Sequence, residues 1–280
     1  MPPSRYNICV LQPDGYAHSL AFLELAELVY HSLRELGHDA ELGFNDVRRD
    51  RRNIVIGCHL AELAVMEHMP AGTVILNTEQ LDAGVKGFSP AIFEWARRFE
   101  VWDYSERNIA RLRELGIDHV KRLRLGFQRE LARIRLSPSP DIDVLFYGTM
   151  NDRRHRIVEA LERRGVAVHC VYNVYGRERD SLIARSRLVL NLHVGDTQIF
   201  EIVRVFYLLT NAVPVVAEVN PTTSIDPMYA DGIAGVPYDG LVAECVDLLR
   251  DSARRSALGA RGLECLSRFP QREFTRAVVS

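Results

Sequence analysis

The chain has 280 residues, which is long for one simple core and comfortable for two domains. Its formal net charge is -2, so composition gives no general attraction toward nucleic acid or a membrane surface, and we expect no nucleic-acid partner. The N-terminal residues lack the basic start and apolar core of a signal peptide, and no uninterrupted apolar stretch approaches the ~20 residues that span a bilayer. These features predict a soluble, cytoplasmic protein. The five scattered cysteines show no metal-ligand spacing, so we expect buried, reduced thiols.

Short apolar runs alternate with amphipathic segments in the first half of the chain. Strands are predicted at 6–11, 39–44, 53–58, 72–77 and 99–104, and the segment 119–127 closes this half. Helices are predicted over 20–37 and 105–116, the second with Ser105 as its N-cap and Gly116 at its end.

A polar segment with two Ser-Pro steps follows at 128–141, and we interpret it as an extended linker. The alternation then resumes. Strands are predicted at 142–148, 166–172, 187–192, 212–218 and 232–238, with helices at 152–165, 177–186, 200–211 and 240–252. Near-continuous apolar strands between helices are typical of parallel sheets covered on both faces. The sequence therefore predicts an α/β protein with two Rossmann-like domains, 1–130 and 142–280, that face each other across a cleft.

Ligands of open parallel sheets bind beyond the carboxyl ends of the strands, and most unusual polar residues of this chain fall in the loops found there. One such loop contains Gly148, with a helix beginning near Asn151. A glycine at this point lets a phosphate approach main-chain N–H groups, and Arg153 and Arg154 could add charge-assisted hydrogen bonds. An ordinary strand–helix turn remains the alternative. The Gly-x-Gly-x-x-Gly fingerprint of standard NAD sites is absent.

A second loop, 193–204, reads HVGDTQIFEIVR and is richer in polar groups than a plain turn requires. Glu201 lies in the first turn of the following helix, where its carboxylate could accept both hydroxyl protons of a ribose or simply cap the helix. Arg204 lies one turn further on and could pair with Glu201 or with phosphate.

The second half resembles the donor domain of GT-B glycosyltransferases, in particular the group 1 enzymes and the CgeB-like branch. The likeness is carried by DVLFYGTMNDRR, VYGRERDSLIARSRLVLNLH and FEIVRVFYLLTNAVPVVAE, and it is specific over roughly 142–240. Two glutamates with seven residues between them bracket this loop in the family, and the second holds the donor ribose. Glu201 matches the second; His193 occupies the first position and departs from the pattern. His193 either touches the donor sugar or phosphate or only caps structure. The likeness also places Tyr172, Asn173 and Tyr175 near the nucleotide base.

The resemblance implies a nucleotide-sugar donor as co-substrate and no metal or other cofactor. The sequence Asp-Ile-Asp at 141–143 lies at the start of a strand, the wrong edge of the sheet for a metal-binding pair. The diphosphate would instead meet helix N-termini and arginine. Arg153 is the first candidate, followed by Arg177 and Arg204.

Candidates for the catalytic base lie in loops of the first half. Asp14 and His18 follow the first strand, His59 follows the third, and Glu79 follows the fourth. Each could equally be a hydrogen-bonded cap or a solvated side chain. Glu79 and His18 rank highest, and the stereochemistry of transfer stays undecided.

The sequence thus predicts a metal-independent glycosyltransferase with an unknown acceptor, which could be a glycan, a lipid-linked glycan, a protein or a small molecule. A catalytically silent GT-B-like subunit that keeps nucleotide or partner recognition is the main alternative. A different Rossmann-paired enzyme, such as an epimerase or oxidoreductase, is the third. The basic segment 121–135 is interpreted as surface and leaves peripheral membrane contact open.

Overall fold

The computed structural model of the chain describes residues 4–81, 90–195 and 199–280. The chain divides into two compact units. The first unit comprises Met1–Gln128 together with Pro270–Ser280, and the second comprises Arg129–Phe269. Each unit contains a parallel sheet with helices, so the α/β class predicted from the sequence is confirmed.

The described part of the first unit forms a six-stranded sheet in the order β2-β1-β3-β4-β5-β6. All its paired strands run parallel. The strands are β1 (Arg5–Val10), β2 (Asp39–Phe44), β3 (Arg52–Ile56), β4 (Val74–Leu76), β5 (Glu100–Asp103) and β6 (Val120–Arg122). Each falls within or next to a run that the sequence predicted as a strand or as the closing segment of this half.

The second unit, over its described residues, forms a five-stranded parallel sheet in the order β11-β10-β9-β7-β8. Its strands are β7 (Ile142–Tyr147), β8 (Val168–Val171), β9 (Ser186–Asn191), β10 (Val215–Glu218) and β11 (Ala234–Val236). Strand β9 is buried along almost its whole length because it has neighbours on both sides and helices on both faces.

Helices cover the sheets. They are α1 (Leu23–Glu35), α2 (Ala91–Arg98), α3 (Glu106–Glu114), α4 (Asp152–Glu162), α5 (Gly176–Ala184), α6 (Ile202–Thr210), α7 (Pro227–Ala230), α8 (Leu241–Arg250), α9 (Ser252–Ser267) and α10 (Gln271–Val279). The predicted cap is confirmed, because the side chain of Ser105 accepts a hydrogen bond from the main-chain N–H of Asn108. The helix predicted from residue 20 starts later, since Ala17–Phe22 forms a tighter 3₁₀ turn before α1.

The C-terminal helix α10 packs in the first unit, whereas the sequence placed it in a domain running from 142 to 280. Gln271 holds it there: its Oε1 accepts a hydrogen bond from the main-chain N–H of Gly126 at 2.6 Å. The hydroxyls of Thr275 and Ser32 also lie 2.7 Å apart in the interior. Because these buried polar groups need hydrogen-bond partners, the helix packs in the first unit although it follows the second unit in the sequence.

The segment interpreted as a linker is extended apart from a short 3₁₀ turn, Arg129–Leu131, and it belongs to the second unit. The main-chain N–H groups of Arg133 and Ile134 both donate to Oδ1 of Asn211, at 2.8 and 2.7 Å. One buried asparagine thus satisfies two N–H groups that no regular element pairs.

All five cysteines are free thiols. Cys9, Cys58 and Cys245 are buried, as expected, but Cys265 is only half-buried and Cys170 is exposed. Cys170 is exposed because it lies on β8, which is an edge strand of its sheet. Within the three described ranges, no helix combines the length and apolar character needed to cross a bilayer.

Candidate functional site

The topological switch point of the second unit lies between β7 and β9. Strand β8 lies on one side of β7, and β9 begins the series that runs the other way. The loops leaving β7 and β9 therefore flank the position where parallel sheets bind ligands. These loops, or the first turns of the helices after them, contain Gly148, Asn151, Arg153, His193, Glu201 and Arg204. Asp196, Thr197 and Gln198 lie outside the described residues.

Gly148 occupies a conformation that disfavours any other residue, with φ of 139°. A Cβ added at this position would lie 3.1 Å from Nη2 of Arg204. The glycine thus leaves the space into which the Arg204 guanidinium extends. The predicted contact of Gly148 with phosphate stays a prediction.

Asn151 and Arg154 join the two loops. Asn151 caps α4 by accepting from the main-chain N–H of Arg154 and donates from Nδ2 to the carbonyl of Val194 at 2.6 Å. The guanidinium of Arg154 donates to the carbonyls of Leu192 and His193 at 2.6 and 3.2 Å. Burial lowers the pKa of Arg154 to about 10, although Glu201 acts in the opposite direction. The side chains of Asn151 and Arg154 therefore hold the two loops together through hydrogen bonds.

Arg153, the first candidate for binding phosphate, pairs with Glu218 instead. Both guanidinium ends reach the carboxylate of Glu218, one at 2.7 Å, and the cation stacks 4.1 Å from the ring centroid of Tyr238. Glu218 is fully buried and also accepts hydrogen bonds from Asn220 and the main-chain N–H of His193. Burial alone would raise the pKa of Glu218, but the hydrogen bonds from Arg153 and Asn220 outweigh it and lower the pKa. The positive charge of Arg153 is thus already matched within the fold.

Glu201 lies at the N-cap position of α6, but its side chain does not cap the helix. One carboxylate oxygen lies 3.7 Å from Nη2 of Arg154, beyond hydrogen-bond distance, and the side chain is 24% exposed. The side chain therefore makes no cap hydrogen bond, and its contact with a ribose stays a prediction. The carboxylate keeps its capacity to accept hydrogen bonds at the carboxyl edge of the sheet.

Arg204 points toward the same edge and does not pair with Glu201. Its Nη1 donates to Oδ1 of Asn191 at 2.6 Å, and the guanidinium stacks 5.0 Å from the ring centroid of Tyr147. In the part of the chain that the structure describes, no carboxylate lies within ion-pair distance of Arg204. Its charge is therefore available to an anion, in contrast to that of Arg153.

His193 is nearly fully buried, and its main chain serves as a junction. Its carbonyl accepts from Arg154, its N–H donates to Glu218, and its Nε2 lies 3.4 Å from the hydroxyl of Thr223. Burial lowers the pKa of His193, so the ring is neutral at pH 7. Of the two alternatives left open by the sequence, this geometry favours the structural one; a catalytic role stays a prediction.

The remaining predicted donor residues lie after β8. Tyr175 is half-buried, and its hydroxyl donates to Oδ1 of Asn173 at 3.0 Å. Asn173 itself has φ of 57°, which orients this turn. Arg177 is exposed in the first turn of α5. Their contact with a nucleotide stays a prediction.

The first unit has its own switch point, between β1 and β3, and the base candidates meet beside it. Strands β1, β3 and β4 are adjacent, so the loops after them bring together His18, His59 and Glu79. Nε2 of His59 lies 3.2 Å from Oε1 of Glu79, and both side chains are half-buried. Asp14 lies in the same region of the chain but is exposed in its turn.

These three side chains are driven toward their neutral forms. Burial, with a smaller contribution from His18, lowers the pKa of His59 to about 4. Burial likewise lowers the pKa of His18 and raises that of Glu79. A carboxylate whose pKa is raised toward neutrality is a stronger proton acceptor than one in water, as general-base catalysis requires.

Sequence reasoning did not single out Glu218, Asn191 or the buried pair Asn77 and Asp103. Each ends an apolar strand with a polar residue, as in VVAE and VILN, and that signal could have found them. Over residues 4–81, 90–195 and 199–280, no group of three or more His, Cys, Asp or Glu side chains is placed to hold a metal ion.

Comparison with solved structures defines the class of fold. T4 phage BGT in complex with its UDP-glucose substrate matches with a TM-score of 0.62 at 11% identity, over 98% of both chains. Anabaena HepE in complex with UDP and glucose matches with a TM-score of 0.62 at 13% identity, also over 98% of both. Sucrose-phosphate synthase from Thermosynechococcus elongatus matches with a TM-score of 0.61 at 10% identity, over 99% of this chain and 97% of that one. The two parallel sheets thus match GT-B glycosyltransferase structures, which confirms the predicted fold.

Two sequence relatives are uncharacterized proteins of one virus. The uncharacterized protein L140 of Acanthamoeba polyphaga mimivirus is 27% identical over 240 residues, which cover 84% of this chain and 74% of the relative. The uncharacterized protein R358 of the same virus is 27% identical over 62% of this chain and 61% of its own length. No protein-family model matches the chain.

Proposed function

We propose that the protein is a nucleotide-sugar-dependent glycosyltransferase whose donor nucleotide binds the second unit. One observation carries the proposal: Glu201 presents a carboxylate with unused acceptor capacity at the switch point, beside a cation that no described carboxylate neutralises. This pairing of an acceptor and a free positive charge suits a ligand that combines a sugar diol with a phosphate. The structural neighbours bound to UDP or UDP-glucose support the same assignment.

In the proposed complex, Glu201 accepts hydrogen bonds from the ribose hydroxyls and Arg204 contacts the diphosphate. Gly148 leaves room for the phosphate near main-chain N–H groups. Arg204 and the helix N-termini would stabilise the negative charge of the leaving group, so we propose transfer without a metal ion. Unchanged turnover after treatment with EDTA would support this point, and loss restored by Mg²⁺ would contradict it.

The proposed reaction is substitution at the anomeric carbon of the donor sugar. The acceptor oxygen forms a bond to that carbon as the bond to the phosphate oxygen breaks, and the nucleoside diphosphate leaves. Glu79 takes the proton of the acceptor hydroxyl, with His59 beside it. We further propose that the protein lies near the group 1 and CgeB-like branch and acts in the cytoplasm on an acceptor of undetermined class.

Nucleotide binding is the first test of this proposal. Thermal unfolding is followed with UDP, GDP, CMP, dTDP, NAD and their sugar conjugates, and a ligand at ~100 times its Kd should stabilise the protein by ~2.7 kcal/mol. Glu201→Ala should abolish the stabilisation by the preferred nucleotide. Glu159→Ala, at an exposed glutamate of α4, is the matched control and should leave it unchanged. Stabilisation by NAD alone would contradict the proposal.

The silent-subunit alternative rests on His193, which is buried where the family places a glutamate near the sugar. It predicts nucleotide binding without turnover. Slow release of the nucleoside diphosphate from the matching nucleotide sugar, measured over hours with water as acceptor, distinguishes the two. Turnover lost in Glu79→Gln supports the transferase; binding with no turnover supports the silent subunit.

A further inference from the structure

The loop that carries Glu79 is fixed through its main chain by two buried asparagines. Asn77 accepts from the N–H of Glu79 through Oδ1 at 3.0 Å and donates to its carbonyl from Nδ2 at 2.9 Å. Asn108, in the first turn of α3, donates to the same carbonyl at 2.8 Å. Oδ1 of Asn108 also accepts from the N–H of Leu81 at 2.9 Å. Both polar groups of the Glu79 main chain are thus held by side chains.

Asp103, at the end of β5, orients both asparagines. Its Oδ2 accepts from Nδ2 of Asn77 at 2.7 Å and from Nδ2 of Asn108 at 3.1 Å. A carboxylate only accepts hydrogen bonds, so it draws the NH₂ end of each amide toward itself and leaves each Oδ1 for a main-chain N–H. The carboxylate therefore determines how both amides are oriented.

Burying these three polar side chains is energetically more costly than forming an ordinary turn. All three side chains are at most 2% exposed, and burial raises the pKa of Asp103 to about 7 despite the N–H groups that face it. Loops are ordinarily shaped by glycine, by proline or by a single exposed asparagine. Here a buried acid is retained, and its effect is to fix the point from which the Glu79 side chain extends toward His59.

We propose that Asn77, Asp103 and Asn108 are a positioning network for the catalytic base. They hold the main chain of Glu79 so that its carboxylate stays half-buried beside His59. The inference rests on the proposed role of Glu79, and it assigns a task to three residues that touch neither the donor nor the reacting atoms.

Asn108→Ala tests the network, with Asn53→Ala as the matched control. Asn53 is equally buried in the first unit and also holds a loop, donating to the carbonyl of Arg48 at 2.7 Å, but it lies at the opposite edge of the sheet, at the start of β3. Turnover of UDP-glucose with water as acceptor is measured against pH, and the Glu79 carboxyl is titrated by ¹³C NMR, with Glu79→Gln identifying its signal. Asn108→Ser, which removes less volume, is read in the same way if Asn108→Ala does not fold.

Asn108→Ala should lower turnover by ~10²-fold, since displacement of a reacting group by about 1 Å has such an effect. The Glu79 carboxyl should then titrate at lower pH, and the acidic limb of the rate profile should move with it. Asn53→Ala should move neither. The positioning role is overturned if Glu79 titrates alike in the Asn108 variants and the wild type. Failure of the proposed function is distinct: Glu79→Gln then keeps full turnover or the wild type has none, while the titration still decides the positioning.

Discussion

The two units place polar groups at the same topological position but treat their charges in opposite ways. At the switch point of the first unit, His59 and Glu79 are half-buried and pair with no other ion among the described residues, and burial drives both toward their neutral forms. At that of the second unit, Arg153 and Glu218 are buried as a pair, and the pair keeps Glu218 ionised. Burial without a counter-ion favours the neutral form of an ionisable group. Burial beside a counter-ion lets the group stay charged. The same position in the two folds thus holds a pair of side chains shifted toward their neutral forms in one unit and an ion pair in the other.

The largest effect is expected at Glu79. Glu79→Gln removes the proton acceptor, so turnover should fall by ~10²–10⁴-fold, the usual contribution of a general base. Nucleotide binding should persist, because the donor residues lie in the second unit. Turnover of UDP-glucose and calorimetric titration with UDP measure the two quantities. An equal fall in turnover and in UDP affinity would show that Glu79 takes part in donor binding. It would contradict the contrast drawn between the two units.

The ion pair of the second unit comes next. Arg153→Met leaves the Glu218 carboxylate buried without its cation, and breaking one side of a buried pair costs ~3–5 kcal/mol. Urea unfolding measures this loss. The double variant Arg153→Met with Glu218→Leu should recover much of it. Loss of UDP affinity without loss of stability would instead make Arg153 the phosphate ligand that the sequence suggested.

The pH dependence of unfolding should reveal Asp103. Its pKa is about 7 in the fold and 3.8 ordinarily, so between these values the unfolded chain loses the proton first and the fold is progressively destabilised as pH rises. The stability of wild type relative to Asp103→Asn should therefore fall from pH 4 to pH 7, by at most about 4 kcal/mol. Denaturant titrations at several pH values measure it. A difference in stability that stays constant or rises with pH would show that the N–H groups facing Asp103 keep it ionised.

The smallest effect is expected at Arg204. Arg204→Ala removes charge-assisted hydrogen bonds to the diphosphate, each worth ~1.5–3 kcal/mol, which corresponds to roughly 10–100-fold in the Kd for UDP. Titration calorimetry at two salt concentrations measures this loss. Arg177→Ala, at an exposed arginine that the sequence also proposed, is the comparison. Equal losses of UDP affinity in the two variants would show that Arg204 contributes no more to binding than the exposed Arg177 does.

Periodicity in the sequence was sufficient to predict the sheets. Strands such as 142–148 and 187–192 are mostly apolar because both faces of a parallel sheet are covered, and the structure confirms them. The helices α2, α7, α9 and α10 were not predicted. The location of α10 depends on Gln271 and Thr275 meeting partners more than a hundred residues away, and local pattern carries no information on such contacts.

The positions of the candidate site residues were predictable from the sequence, but their roles were less so. The carboxyl ends of the strands indicated the positions of Glu201 and Arg204 in the second unit and of His59 and Glu79 in the first, because in each sheet the loops after neighbouring strands lie at one edge. The roles of these residues stay predictions. Which cation is neutralised was not predictable. Arg153 and Arg154 are adjacent arginines, yet one pairs with Glu218 and the other with loop carbonyls, and both partners lie in distant parts of the sequence.

The position of α10 has a consequence for synthesis on the ribosome. Domains generally fold as units and in the order in which they emerge. Here residues 129–269 emerge as one continuous stretch, whereas the unit begun by the first 128 residues needs 270–280 to be complete. The unit that starts first therefore finishes last, and until then Ser32 and the N–H of Gly126 lack the partners that α10 brings.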